Sequence, residues 1–211
     1  MFISFEGPEG GGKTTQSRRL AESLQSEGYT VVPVYEPGGT AIGDAIRALL
    51  LATDQAPNAR AEALMFAAAR AQLVDEVVQP SLSAGAIVIS DRFSDSTIAY
   101  QVGGRRLPKD AVDVLIAFAT AGLKPDLTFL LDVEIAEGFA RKRQTTPDRL
   151  EQADRAFHER VRAAYLELAR TEPQRIVRLD ATRPVQELAE TILAVVLARI
   201  PERAAVTRGE L

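Results

Sequence analysis

Apolar residues along this 211-residue chain follow two alternating periods. Short apolar runs bounded by turn-forming residues read as strands at Phe2–Glu6, Thr30–Tyr35, Ala86–Ser90, Leu127–Asp132 and Ile176–Asp180. The middle run, Ala86-Ile87-Val88-Ile89, lacks polar alternation, as expected of a strand covered on both faces. Longer stretches of helical period lie between the runs. The clearest places Val185, Leu188, Ala189, Ile192, Leu193, Val196, Leu197 and Ile200 in one stripe, which predicts a helix packed on a core. Strands alternating with helices predict an α/β fold, a five-stranded parallel sheet flanked by helices. The periodicity ends at Pro201, so the expected organisation is one domain over residues 1–200 and a flexible tail over 201–211.

In open α/β sheets, ligands bind beyond the carboxyl ends of the strands, and the polar signals of this sequence fall there. The first strand runs into Gly7-Pro8-Glu9-Gly10-Gly11-Gly12-Lys13-Thr14, the G-x-x-x-x-G-K-T spacing of a P-loop. Backbone N–H groups of such a loop curl around a polyphosphate, Lys13 reaches the β/γ oxygens and the Thr14 hydroxyl ligates Mg²⁺. A helix starting near Lys13 points its positive end at the same phosphates, so Gly7 to Thr15 is the candidate ATP-binding segment. Glu36-Pro37-Gly38-Gly39-Thr40 follows the second strand, Asp91-Arg92 the third and Asp180-Ala181-Thr182 the fifth. Asp91 has two readings, a carboxylate for Mg²⁺ beside the P-loop or a cap on the next helix.

Phe66 and Arg70, four apart in the helical segment 61–79, share a face. That spacing suits an aromatic plate with a hydrogen-bonding cation, and it suits plain core packing. Thr97, Tyr100 and Gln101 form a second candidate patch on the turn after Asp91. Arg141, Lys142, Arg143 and Arg149 flank Gln144-Thr145-Thr146-Pro147, a loop expected between two helices, the second over Leu150–Arg170. These cations read either as a solvated basic face or as a mobile lid, about 141–150, that closes over a transferring phosphoryl group.

With 25 Lys+Arg against 29 Asp+Glu, the net charge of −4 gives no support for nucleic-acid binding, so basic clusters serve a local anion. The absence of cysteine excludes disulfides, thiolate metal sites and cysteine nucleophiles. The one histidine, His158, sits beside Asp154, Glu159 and Arg160 and reads as part of a solvated helix face. No stretch approaches transmembrane length, and the apolar start ends at Glu6, too short for a signal sequence, so a cytoplasmic protein without a membrane partner is expected. Asn58 is the only asparagine and no D-x-x-G occurs, so the guanine-reading N-K-x-D and switch motifs are both absent.

Phe5-Glu6-Gly7-Pro8-Glu9-Gly10, Glu36-Pro37-Gly38-Gly39-Thr40, Asp91-Arg92-Phe93, Ala99-Tyr100-Gln101, Lys124-Pro125-Asp126-Leu127-Thr128 and Asp148-Arg149-Leu150-Glu151 follow one another in an order that resembles the bacterial thymidylate kinases. The resemblance runs to about Ile200. It implies a P-loop kinase fold with a short lid, transfer of the ATP γ-phosphoryl group to dTMP with Mg²⁺ in dTTP synthesis, and a homodimer formed through helices. It also implies roles. Phe66 stacks on thymine, Arg70 contacts the base, and Thr97 or Gln101 adds hydrogen bonds. Tyr100 packs beneath the sugar, Arg47 and Arg92 hold the acceptor phosphate, Glu9 meets the sugar 3′-hydroxyl and Glu36 supports the acceptor site from its loop. Arg141 and the segment around Thr182 border adenine, while Thr14 and Asp91 hold the metal. The P-loop interior, Pro8 to Gly11, carries no cation, so catalytic charge beyond Lys13 and Arg92 is expected from the lid, from Arg143 or Arg149.

Overall fold

The computed structural model describes residues 1–52, 54, 56–142 and 147–200. The expected tail and part of the lid loop, Arg143 included, lie outside the described residues.

Five parallel strands, β1 Phe2–Glu6, β2 Val31–Tyr35, β3 Ile87–Asp91, β4 Leu127–Asp132 and β5 Ile176–Asp180, pair in the order β2-β3-β1-β4-β5. Their bounds agree with the apolar runs to within one residue. Every residue of β1 and β4 is buried, as strands sandwiched between two helical layers require. β2 and β5 instead alternate between buried and open positions and form the edges. Pro33, which has no N–H to give a ladder, is tolerated in β2 because that strand is an edge.

The helices are α1 Lys13–Ser26, α2 Ala41–Leu51, α3 Ala59–Leu73, α4 Gln79–Ser83, α5 Ser94–Thr97, α6 Lys109–Thr120, α7 Ile135–Arg141, α8 Arg155–Thr171 and α9 Val185–Leu197. A π-helical turn, Val74–Val78, joins α3 to α4, and a longer one, Ile98–Gly104, continues α5. On one face of the sheet Leu188, Ile192 and Val196 of α9 pack with Leu20 and Leu24 of α1. On the other, Leu73, Val74 and Val78 meet Phe2, Val34, Val88 and Phe93. A third cluster sets Phe157, Val161 and Tyr165 of α8 against Ala99 and Tyr100, which brings the middle of α8 beneath the carboxyl ends of the strands.

Two expectations are corrected. The helix after the lid begins at Arg155 rather than Leu150, because the Asp154 carboxylate caps it by accepting the Phe157 N–H at 2.6 Å. Asp148 first turns the chain by accepting the N–H groups of Leu150 and Glu151, each at 2.9 Å. His158 does not face solvent: it is 3% exposed, with its ring edge-on to Phe139 and Phe157 at 4.8 and 5.2 Å, and burial pushes its pKa down. Glu159 and Arg160, one and two residues further on, project from other faces of the same helix, and Asp154 is its cap.

The P-loop leaves β1 through Gly7, Gly10 and Gly12, at φ of 138°, 72° and 85°, conformations that side chains rarely adopt. Gly138 of α7 lies so close to this loop that a Cβ there would overlap the Glu9 carbonyl. Gly138→Ala would gain about 1 kcal/mol in helix propensity, yet the overlap is with backbone and no rotamer change relieves it. A net loss of about 1–3 kcal/mol is therefore expected. Thermal unfolding should show a fall in Tm of several degrees, and a raised Tm would show that α7 moves away freely.

Candidate active site

A cleft of about 1070 Å³ opens at the carboxyl ends of the strands and runs from the P-loop to α3 and the segment after β3. At one end the Lys13 Nζ donates to the carbonyls of Pro8 and Gly7 at 2.7 and 3.1 Å. Burial and then Arg92 push its pKa down to about 8, opposed by Glu9, Asp91 and Glu6. The Thr14 hydroxyl donates to the Asp91 carboxylate. Asp91 is thus engaged with the P-loop rather than with the helix that follows it. The N–H of Phe93, at the start of α5, is taken instead by Glu6 Oε1 at 2.7 Å.

Arg92 occupies the centre. Its backbone is left-handed at φ 74°, which turns the side chain back over the P-loop. The guanidinium pairs with Glu9 and lies 3.3 Å from the Gly7 carbonyl and from the hydroxyls of Ser96, Tyr100 and Tyr165. Glu9 also accepts the Tyr100 hydroxyl at 2.8 Å and Lys142 Nζ at 3.1 Å. Burial alone would raise the Glu9 pKa, but Arg92, Lys13 and Lys142 override it and hold the carboxyl well below the usual range.

At the far end Phe66, Arg70, Thr97, Tyr100 and Gln101 line the same cleft, with Glu36 and Arg47. Arg70 is buried and almost fully committed. Its Nε and Nη2 donate to Glu36, Nη2 also to the Phe93 carbonyl at 3.1 Å, and Nη1 to the Thr97 hydroxyl at 2.8 Å. One N–H of Nη1 remains for the cleft. Arg47 donates to the Pro37 carbonyl at 2.8 Å and sits 5.5 Å over the Tyr35 ring.

The lid side divides. Arg141 lines the cleft and donates to the Ala181 carbonyl at 2.8 Å. Lys142 reaches both Glu9 and Glu151. Arg149 is not among the cleft-lining residues: its Nε donates to the Leu50 carbonyl at 3.0 Å and its Nη2 to Glu62 at 2.7 Å. Thr182 likewise lies off the lining, its N–H and hydroxyl both given to Asp180.

Sequence reasoning misses Glu6, Glu62, Ser96 and Tyr165, and it gives no reason to separate Lys142 from the arginines beside it. Two signals were available. Glu6 is a charged residue closing a wholly apolar run, and Glu62 precedes Phe66 and Arg70 at four-residue spacing on the same helical face.

A P-loop whose lysine and hydrogen-bonded Thr14 and Asp91 share one cleft with Arg92 and with a pocket of aromatic, amide and guanidinium groups defines a P-loop phosphotransferase that acts on a small nucleotide. A family profile described as thymidylate kinase matches residues 5–192. The thymidylate kinase of Pelobacter propionicus is 48% identical over 204 residues, covering 93% of each chain, and that of Deinococcus radiodurans is 48% identical over 200 residues, covering 94% of this chain and 97% of its own. The crystal structure of thymidylate kinase from Ehrlichia chaffeensis superposes with a TM-score of 0.78 at 35% identity, covering 93% of this chain and 98% of that one. The chain belongs to the thymidylate kinase family, ATP-using kinases, and phosphorylates dTMP. Among the described residues, no helix is long and apolar enough to cross a membrane.

Because the Lys13 pKa lies near 8, its ammonium is charged below that pH and neutral above it. ATP affinity of the free protein should fall as pH rises through about 8, by up to about tenfold per pH unit. Calorimetric titration on both sides of that pH checks this. Lys13→Arg, whose guanidinium does not titrate there, should bind more weakly overall but with no such step.

Proposed function

We propose that the P-loop holds ATP and that the pocket of Phe66 and Arg70 holds dTMP, so that the γ-phosphoryl group passes to the acceptor phosphate beside Lys13 and Arg92 and yields dTDP and ADP. The observation that carries this reading is the single cleft in which the anion-binding loop and the aromatic pocket meet with Arg92 between them. Phe66 stacks on thymine, the remaining Arg70 N–H and the Thr97 and Gln101 side chains meet its edge, and Tyr100 lies under the sugar with Glu9 at the 3′-hydroxyl. Arg47 and Arg92 hold the acceptor phosphate, and Glu36 fixes Arg70.

Thr14 and Asp91 supply two oxygens side by side, which fits Mg²⁺, an ion that keeps most of its shell for water and phosphate oxygens. When bound it neutralises β/γ-phosphate charge. The protein adds charge and alignment rather than covalent chemistry. Lys13, now folded onto loop carbonyls, turns to the phosphates. Arg92 exchanges part of its pairing with Glu9 for the acceptor phosphate. No general base is required, because that phosphate is already nucleophilic.

The P-loop interior has no cation, and Lys142 is the described lid cation that reaches the reacting centre, through Glu9. Arg143 is the other candidate, while Arg149 anchors the lid to α3 through Glu62. Arg141 and the segment around Thr182 border the adenine. The catalytic unit is one domain, residues 1–200, working in the cytoplasm in dTTP synthesis.

The active form is a homodimer through helices. Phe118 and Val114 of α6 are 85% and 72% exposed, and Leu64 and Leu49 stand open on α3 and α2, which pack in series with α6. Apolar side chains this open on adjoining helices mark an association surface. Phe118→Glu should sediment as a monomer where the parent sediments as a dimer.

A coupled assay of ADP release across dTMP, dUMP, UMP, CMP, AMP and GMP tests the acceptor assignment, and turnover confined to a purine nucleotide would sink it. In the same assay Phe66→Ala should raise KM for dTMP by roughly 5–150-fold, the loss of a stacking contact of about 1–3 kcal/mol, with KM for ATP little changed. Equal weakening of both nucleotides would make Phe66 a core residue.

A further inference from the structure

Gln101 meets the cleft as an amide held from behind. Its Nε2 donates to Glu62 Oε1 at 3.1 Å, and among the described residues nothing donates to its Oε1. Glu62 is 0% exposed and off the cleft lining. Its carboxylate also accepts Nε and Nη2 of Arg105, each at 3.0 Å, and Nη2 of Arg149 at 2.7 Å. Burial opposes ionisation of Glu62, but the bonds from Arg105 and Arg149 prevail and hold its pKa below the ordinary value. An ionised carboxylate only accepts hydrogen bonds. Gln101 can therefore turn only its NH₂ toward Glu62, since the flipped amide would set two acceptors face to face. Nε2 keeps its second N–H, and the one polar atom of the amide with no partner at all among the described residues is Oε1, an acceptor on the cleft lining.

We propose that Glu62 is a positioning residue that fixes the amide of Gln101 so that the pocket presents an acceptor, selecting a pyrimidine with N3–H over one whose N3 is a bare lone pair. The inference rests on the reading that Gln101 meets the base. It gives Glu62 a part in specificity without contact to substrate, and it explains why a carboxylate is buried behind a neutral amide.

The test compares kcat/KM for dTMP with that for 5-methyl-dCMP, which keeps the 5-methyl group, using the inhibition constant where turnover is too slow. The two bases also differ at C4, where Arg70 would report. That contribution is common to both proteins and cancels when variant and parent preferences are divided. In Glu62→Gln the neutral amide pairs with either orientation of Gln101, so the preference for dTMP should fall at least about tenfold. Arg105→Lys trims the ion pair but keeps a positive charge against Glu62, which stays ionised and facing Gln101, so its preference should hold even where both rates drop. An unchanged preference in Glu62→Gln overturns the proposal. Gln101→Met separates it from the reading beneath it. If the preference survives in Gln101→Met, the amide does not meet the base; if it falls there but not in Glu62→Gln, only the role of Glu62 fails. Should Glu62→Gln not fold, hydrogen exchange of the Gln101 side-chain NH₂ decides, measured by NMR on the intact protein and assigned by its loss in Gln101→Met. Protection of at least about tenfold over an exposed amide is expected, and free exchange overturns the proposal.

Discussion

Glu6, the last residue of β1 and 1% exposed, accepts the backbone N–H of Phe93 at 2.7 Å and the hydroxyls of Ser96 and Tyr165 at 2.6 and 2.9 Å. Those hydroxyls, turned toward the carboxylate, leave lone pairs for Arg92, whose Nη1 lies 3.3 Å from each. One buried carboxyl thus orders both the backbone after Arg92 and the guanidinium itself. A left-handed backbone at a non-glycine residue costs of the order of 1–3 kcal/mol and persists only where the surroundings over-determine it. Burial and Asp95 push the Glu6 pKa up to about 7, against the bonds from Ser96 and Phe93 and the charge of Arg92. Sheet, P-loop, α5 and α8 are fastened together at this point, and the cleft takes its shape from it.

Charges in the cleft answer one another before any nucleotide arrives. Glu9 is shared by Arg92 and Lys142, and Lys13 is folded onto loop carbonyls. Such an arrangement keeps several cations desolvated without leaving any of them unpaired, which would cost several kcal/mol each. On the proposed reading, incoming phosphates compete with Glu9 and the carbonyls for the same donors, so that the reacting charge would be met by groups already oriented, with little reorganisation left for the transition state. The acceptor end follows the same logic with hydrogen bonds. Arg70 is held by Glu36 and Thr97, and Gln101 by Glu62, so each offers the cleft a limited and fixed set of donors or acceptors.

Periodicity alone located all five strands, since the inner ones are largely apolar runs covered on both faces and the edge strands β2 and β5 are short apolar runs bounded by turn residues, and the P-loop could be read because its chemistry depends on spacing within a few residues. Even the edge position of β2 was written in Pro33. Charge patterning misled at His158, where Glu159 and Arg160 lie on other faces of α8, Asp154 caps it, and the ring itself is clasped by Phe139 and Phe157. The start of α8 was also misplaced, because Asp148 and Asp154 compete as turn and cap residues and the later one opens the helix.

The sequence by itself determined the alternation of strand and helix and the P-loop, because these follow from local period and spacing, whereas spacing left Phe66 and Arg70 open between core and ligand and only the resemblance to a family gave them roles. Tertiary structure alone decided which side chains face the cleft and which serve as supports. Arg149 and Lys142 stand in one basic cluster in the chain, yet one is spent on Glu62 and the other reaches Glu9. Asp91 and Glu6 are both carboxylates at strand ends, yet one meets the P-loop hydroxyl and the other is buried beneath Arg92. The physical reason is that a charged side chain removed from water must find partners, and those partners come from elements distant in sequence whose approach is set by the packing of the sheet and its helices.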